Sequence, residues 1–278
     1  MGAALSHVTE TRVGKMPTGK TSPSNGGGQE YAPSMMIGNI PYEILEIPIV
    51  GVTSLLMNRF GHSPIEAIQR IEAQKKKVKM PREPMMEFRE SFYRLPENAD
   101  DPDHRNWVVG FPLLAFKAAT VSAARFYDKS VSMVGLRQCL WFIPEEYEVE
   151  DRIPLVRLEV PEIPEKPRVD PVTVRNGGTT LRYRPEFPEW RAVLKVRYVK
   201  SSIGPEDLLS LIDAGGANVG VGEWRPQGKG GNSGIYGTYR VDNERELIVR
   251  PVQSVPYKIT AGSAVPATAF EGPAGELT

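Results

Sequence analysis

The residues best suited to chemistry lie between Arg197 and Val241. There Gly220, Gly222, Gly230, Gly231 and Gly234 surround Trp224, Arg225 and Lys229. Glycine at that density admits close backbone approach. With an indole and two cations beside it, the stretch reads as a loop for a ligand with a flexible anionic backbone. A second candidate is Gly14 to Thr21, GKMPTGKT, which fits the phosphate-loop pattern GxxxxGK[ST]. That chemistry needs an apolar strand before the loop and a helix after it, aiming amides at phosphate. Ser6 to Val13 is mostly polar, and Ser22-Pro23-Ser24-Asn25 with three glycines follows, so the match reads as chance. Lys75, Lys76, Lys77 and Lys79 crowd the end of a predicted helix. They serve either as a solvated complement to its dipole or as a phosphate-facing patch. Asp100, Asp101, Asp103 and His104 have metal-ligating atoms, but neighbours in a Pro-containing loop seldom converge on one ion. This stretch reads as a solvated loop.

Other catalytic signatures are missing from the sequence. His7, His62 and His104 are far apart, and there is no HExxH or GxSxG. The glycines at 215–222 follow a helix, the reverse of a dinucleotide-binding turn. The chain therefore reads as a non-enzymatic protein with no metal site and no cofactor. Lys and Arg total 34, as do Asp and Glu, so any basic surface must come from local segregation. The single cysteine, Cys139, excludes an intramolecular disulfide, fits a reducing compartment and reads as a small buried hydrophobe. No signal peptide and no apolar run of membrane-spanning length is visible, and the expectation is a soluble, cytoplasmic protein.

The elements that must position these residues follow from periodicity. Residues 1–35 read as a disordered arm and 259–278 as a flexible tail, rich in small and polar residues. Between them, 36–258 reads as one α+β domain with an insertion at about 53–106 and a Pro-rich excursion at about 161–189. Tyr42 to Val52 is a buried strand in which Pro48 suggests an edge or bulge. Ser63-Pro64-Ile65-Glu66 is a capping box opening a helix to about Val78. Glu87 to Leu95 alternates like a strand. Leu113 to Tyr127 predicts a helix, and Val131–Ile143 and Ile153–Val160 predict strands joined by an acidic turn. Pro161 to Pro171 reads as irregular, and Val172 to Tyr183 as a hairpin around Asn176-Gly177-Gly178. Trp190 to Lys200 alternates Ala192, Leu194, Val196 and Tyr198 against a partly basic face that carries Lys195 and Arg197. A helix from Pro205 to Ala214 ends at Gly215. A strand over Tyr236–Val241 and an edge strand over Leu247–Val255 follow.

That order suggests a ferredoxin-like or RRM-like βαββαβ core with long insertions. At this point the chain resembles the RAMP superfamily, the RRM-like proteins that form the guide-RNA-binding backbone of CRISPR effector complexes. GFPLLAFKAATVSAAR at Gly110–Arg125 is similar to that superfamily's Pro-then-Lys entry to its first helix. GGANVGVGEWRP at Gly215–Pro226, with GIYGTYRV at Gly234–Val241, is similar to its glycine-rich loop and following strand. Together these cover about a third of the chain. The GVGEWRP…GIYGTYRV pattern also resembles uncharacterised proteins of tailed phages and prophages, which implies a phage setting in a host cytoplasm. The GEWRP run is unusual for the superfamily, and no histidine stands where RNA-processing members place one, so guide-RNA cleavage is not implied.

The resemblance implies that single-stranded nucleic acid, RNA before DNA, lies across the sheet and the loop. Arg225 and Lys229 would meet phosphates, and Trp224, Tyr236 or Tyr239 would offer stacking surfaces. Lys195, Arg197 and the lysines at 75–77 would extend the track, and the subunit would self-associate. The alternative is a phage structural or assembly protein with no nucleic-acid role.

Overall fold

The computed structural model describes residues 40–59, 82–127, 131–173, 178–228 and 233–252. The phosphate-loop match, the terminal arm and tail, the helix expected to about Val78 with Lys75, Lys76 and Lys77, and Lys229, Gly230 and Gly231 lie outside them. In chain order the elements are β1 (Tyr42–Gly51), β2 (Leu55–Leu56), α1 (Pro84–Glu90), β3 (Gly110–Pro112), α2 (Leu113–Ala123), α3 (Met133–Cys139), β4 (Leu140–Ile143) and β5 (Glu146–Tyr147). Then come β6 (Pro154–Arg157), β7 (Arg168–Thr173), β8 (Thr179–Arg184), β9 (Glu186–Phe187), β10 (Arg191–Val199), α4 (Pro205–Asn218), β11 (Tyr239–Val241) and β12 (Ile248–Val252).

The protein is a mixed α+β structure whose sheets are antiparallel. Its main sheet runs β11-β1-β10-β4, and β12 pairs with β1 beyond β11. The alternation in β10 sets the two faces of this sheet. Ala192, Leu194, Val196 and Tyr198 are buried with Leu45, Ile47 and Ile49 of β1. Phe116 of α2 and Leu208, Leu211 and Ile212 of α4 join the same core. Fully burying each such side chain stabilises the fold by about 1.5–3 kcal/mol. The opposite parity, Val193, Lys195, Arg197 and Val199, is half-buried.

Several expectations are corrected. β1 is an interior strand, not an edge. It accepts Pro48 because the proline's missing N–H falls between the stretches paired to β11 and β12, where its carbonyl takes the Asp242 N–H at 2.8 Å. Of the stretch 87–95 expected as a strand, Glu87–Glu90 belong to helix α1, which starts with Pro84 at its first turn, and beyond the cap at Ser91 only Arg94 bridges to Val109. Phe88 and Phe92 also match the i, i+4 spacing of one helical face, and their rings meet edge-on at 5.1 Å. Residues 133–139 are helical because Ser132 caps α3, accepting from the Gly135 N–H, and only Leu140–Ile143 form strand. Strand β7 begins at Arg168, inside the stretch expected to be irregular. His104 is buried rather than solvated, edge-on to Phe88 and Trp107, and no acidic or His/Cys cluster suited to a metal occurs among the described residues.

Helix α4 does not stop at Gly215 but runs through Gly215 and Gly216 to Asn218. Both glycines are buried inside the helix because it crosses neighbouring backbone too closely for a side chain. A Cβ at Gly216 would lie 2.1 Å from the Tyr239 carbonyl oxygen, and one at Gly215 would lie 2.9 Å from that of Ala119. Overpacking of this kind destabilises by about 1–3 kcal/mol or more, well beyond the ~1 kcal/mol that alanine gains in helix propensity. Gly216→Ala is therefore expected to lower the melting temperature, and an unchanged or raised value in a thermal melt would contradict this packing.

Candidate nucleic-acid interface

The half-buried face of the main sheet gathers an aromatic and cationic cluster. Register places Tyr42 opposite Val199, Ile44 opposite Arg197 and Glu46 opposite Lys195, while Trp141 of β4 lies opposite Arg197 from the other side. The Arg197 guanidinium therefore packs against two rings, 5.2 Å from the Tyr42 centroid and 4.7 Å from that of Trp141. The rings meet edge-on at 5.6 Å. Cation–π attraction of about 0.5–2 kcal/mol per ring holds the charge in place. Arg197 has no ion pair and no hydrogen bond among the described residues, and its Nε is buried without a partner.

Other cations on this face are quenched. Lys195 pairs with Glu145 at 3.0 Å, and Arg250 of β12 pairs with Glu46 at 3.3 Å. Arg240 of β11, opposite Val50, donates to the Val241 carbonyl and has no carboxylate partner among the described residues. At the Tyr42 end, Glu43 accepts from Lys200 at 2.7 Å and from the Tyr198 hydroxyl at 2.6 Å. The Lys200 bond, then the Tyr198 bond, hold the Glu43 carboxyl below its usual range. Burial, then the bond to Glu43, push the Tyr198 phenol up to about 12. Among the described residues, unquenched or weakly paired charge on the face thus lies at Arg197, Arg240 and Arg191, which approaches Asp242 only at 3.7 Å.

The glycine-rich loop is built for packing on its own chain. Gly222 adopts a left-handed φ of +80° and brings the chain over the Leu56 carbonyl, which accepts the Glu223 N–H at 3.0 Å. A Cβ on Gly234 would stand 1.7 Å from the Trp224 carbonyl oxygen, so the two arms of the loop touch backbone to backbone. Tyr236 donates its N–H to Trp224 at 3.1 Å and Gly234 donates to Arg225 at 3.1 Å, tying the arms together. Trp224 itself has a φ of +52°, a conformation that disfavours a bulky residue by about 1–2 kcal/mol.

What holds Trp224 there is a set of arginines from the β7–β8 hairpin. The Arg184 guanidinium lies 4.6 Å from the Trp224 centroid, and Arg168 lies 5.5 Å from Trp224 and 4.9 Å from Tyr236. Arg184 has no exposed side-chain surface and is bound by Asp170 at 2.9 Å and Glu223 at 3.3 Å. Arg168 pairs with Asp170 and Glu186, both at 3.0 Å. Burial opposes the Arg168 charge, but the bonds to Asp170, Glu186 and Tyr236 outweigh it and raise its pKa.

The expected site residues therefore divide. Arg197 and Lys195 share the sheet face. Trp224, Arg225 and Tyr236 lie together in the loop, where Arg225 donates to the Gly222 carbonyl at 2.9 Å. Tyr239 is corrected: strand β11 begins at this residue and buries its ring completely against Phe116 and Trp190, so it presents no stacking surface. Gly220, Gly222 and Gly234 serve chain-on-chain packing. Tyr42 and Trp141 were missed by sequence reasoning. Tyr42 could have been found from parity, since it shares a strand face with Ile44 and Glu46. Trp141 stood in an apolar run that reads as core. No protein-family model matches the chain, and no curated protein sequence matches it significantly.

Proposed function

We propose that this protein binds single-stranded nucleic acid, RNA in preference to DNA, across the half-buried face of its main sheet, without catalysing a reaction on it. One observation carries the reading: a guanidinium without an ion pair among the described residues, Arg197, held against Tyr42 and Trp141 on a sheet face. Bases stack on aromatic rings whatever their sequence, and a fixed cation beside the rings meets phosphate or a base edge. The strand order β11-β1-β10-β4, with α2 and α4 against the other face, supports a ferredoxin-like, RRM-like plan. The resemblance to guide-RNA-binding backbone proteins points the same way, and with it comes a role as a repeating subunit.

From Tyr42 to Val50 the face spans roughly 27 Å at about 3.4 Å per residue, room for a short run of nucleotides. The few unquenched cations imply a shallow salt dependence, with log affinity falling at a slope of about −2 against log salt if about three phosphates are met at ~0.7 each. Fluorescence anisotropy of a labelled oligouridine tests this, and the expected loss is roughly 15-fold between about 50 and 200 mM salt. No binding of any single-stranded RNA or DNA at the lower salt removes the proposal.

A further inference from the structure

At the far end of the same sheet face, where Val50 lies opposite Arg191, a cleft of about 460 Å³ opens, a volume within the range of small-ligand sites. It is lined by the apolar Val50, Val160 and Pro161, by Gly51, and by the charged Glu189 and Arg191. A Cβ on Gly51 would lie 2.2 Å from the buried Trp190 indole, so the chain passes directly over that ring beside the cleft. Of the two carboxylates lining the cleft, Glu159 is engaged by Arg245 at 2.6 and 3.0 Å. Glu189 is exposed and has no ion pair or hydrogen bond among the described residues. Arg191 approaches Asp242 only at 3.7 Å, beyond hydrogen-bond reach.

We infer that this cleft is a guanine-selective subsite for one end of the bound strand, an assignment that rests on the sheet-face reading above. Guanine alone among the common bases presents two N–H donors side by side, N1–H and the 2-amino group, matching the two oxygens of one carboxylate. Uracil offers one N–H flanked by carbonyl oxygens that a carboxylate repels, and adenine and cytosine set their amino group beside an acceptor nitrogen. Arginine complements the guanine O6 and N7. Glu189, in the bend that leads into β10, and Arg191, the first residue of that strand, both line the cleft and thus offer the acceptor pair and the donor that one guanine needs. The apolar walls take its flat faces.

The test is anisotropy with oligouridines of about eight nucleotides, all-uridine or carrying a single guanosine or inosine at either end. Guanosine at one end is expected to tighten binding about tenfold, the discrimination of one good bidentate contact. Inosine, which lacks the 2-amino group, loses most of that gain. Glu189→Gln, an exposed position, leaves all-uridine affinity within about twofold and abolishes the preference, because an amide cannot accept from both donors. Equal binding of uridine and guanosine oligomers overturns the subsite and leaves the sheet-face reading standing. A preference that survives Glu189→Gln also overturns it, and failure of every oligomer to bind removes both.

Discussion

Replacing Tyr42 and Trp141 together with alanine lowers affinity for single-stranded RNA by at least about 30-fold, because each base-stacking ring contributes roughly 1–3 kcal/mol. The loss exceeds what two surface rings would suggest, since the same rings hold the Arg197 charge against them at 5.2 and 4.7 Å. Without them the guanidinium is free to sample many rotamers, and ordering it on binding costs side-chain entropy. Arg197→Gln, which keeps a polar side chain but removes the charge, is expected to weaken binding less and to flatten its salt dependence. Both rings are half-buried on the side of the sheet away from the main core, so the variants should fold. Circular dichroism and a thermal melt check that point alongside the titration. Wild-type affinity in the double variant would remove the sheet face from the interface.

The second large effect falls on stability. Asp170→Ala leaves Arg184, which has no exposed side-chain surface, with only Glu223 at 3.3 Å, and takes one of the two carboxylates from Arg168. Breaking a buried pair by removing one partner typically destabilises by about 3–5 kcal/mol. In a domain of this size that corresponds to a melting-temperature drop of about 6–20 °C. The reciprocal change, Arg184→Met, removes the buried charge and keeps an unbranched side chain against Trp224, while Asp170 retains Arg168 as partner. It is expected to be several-fold milder in kcal/mol. Comparable losses from the two substitutions, or a shift of only a few degrees in Asp170→Ala, would contradict the account of Trp224 as a clamp held by the hairpin.

Much of the main sheet was legible because one-sided burial imposes strict alternation. In Trp190–Lys200 the expected buried set, Ala192, Leu194, Val196 and Tyr198, is the observed one, and helix α2 begins at Leu113 as its pattern required. Misreadings arose where two periods fit the same short stretch. Phe88 and Phe92 satisfy both alternation and i, i+4 spacing, and the helix opened by Pro84 takes Phe88 and stops at Glu90. Gly215 looked like a helix stop because punctuation by glycine is local, whereas its reason here is tertiary: the backbones of Ala119 and Tyr239 press against α4.

The candidate site was legible only in half. Arg197 emerged from strand parity, but its partners Tyr42 and Trp141 are distant in sequence and meet only through β1–β10–β4 register. The glycine-rich loop drew attention by composition. Its arginine and carboxylate partners come from the β7–β8 hairpin, and pairing across that distance leaves no mark in the local sequence.

The most direct measurement is ultraviolet cross-linking of a short oligouridine to the purified protein, with the modified residues located by mass spectrometry. The expected result is attachment at Tyr42 and Trp141, lost when excess unlabelled RNA competes. Attachment confined to the loop at Trp224 and Tyr236, or none at saturating RNA, would contradict a sheet-face interface.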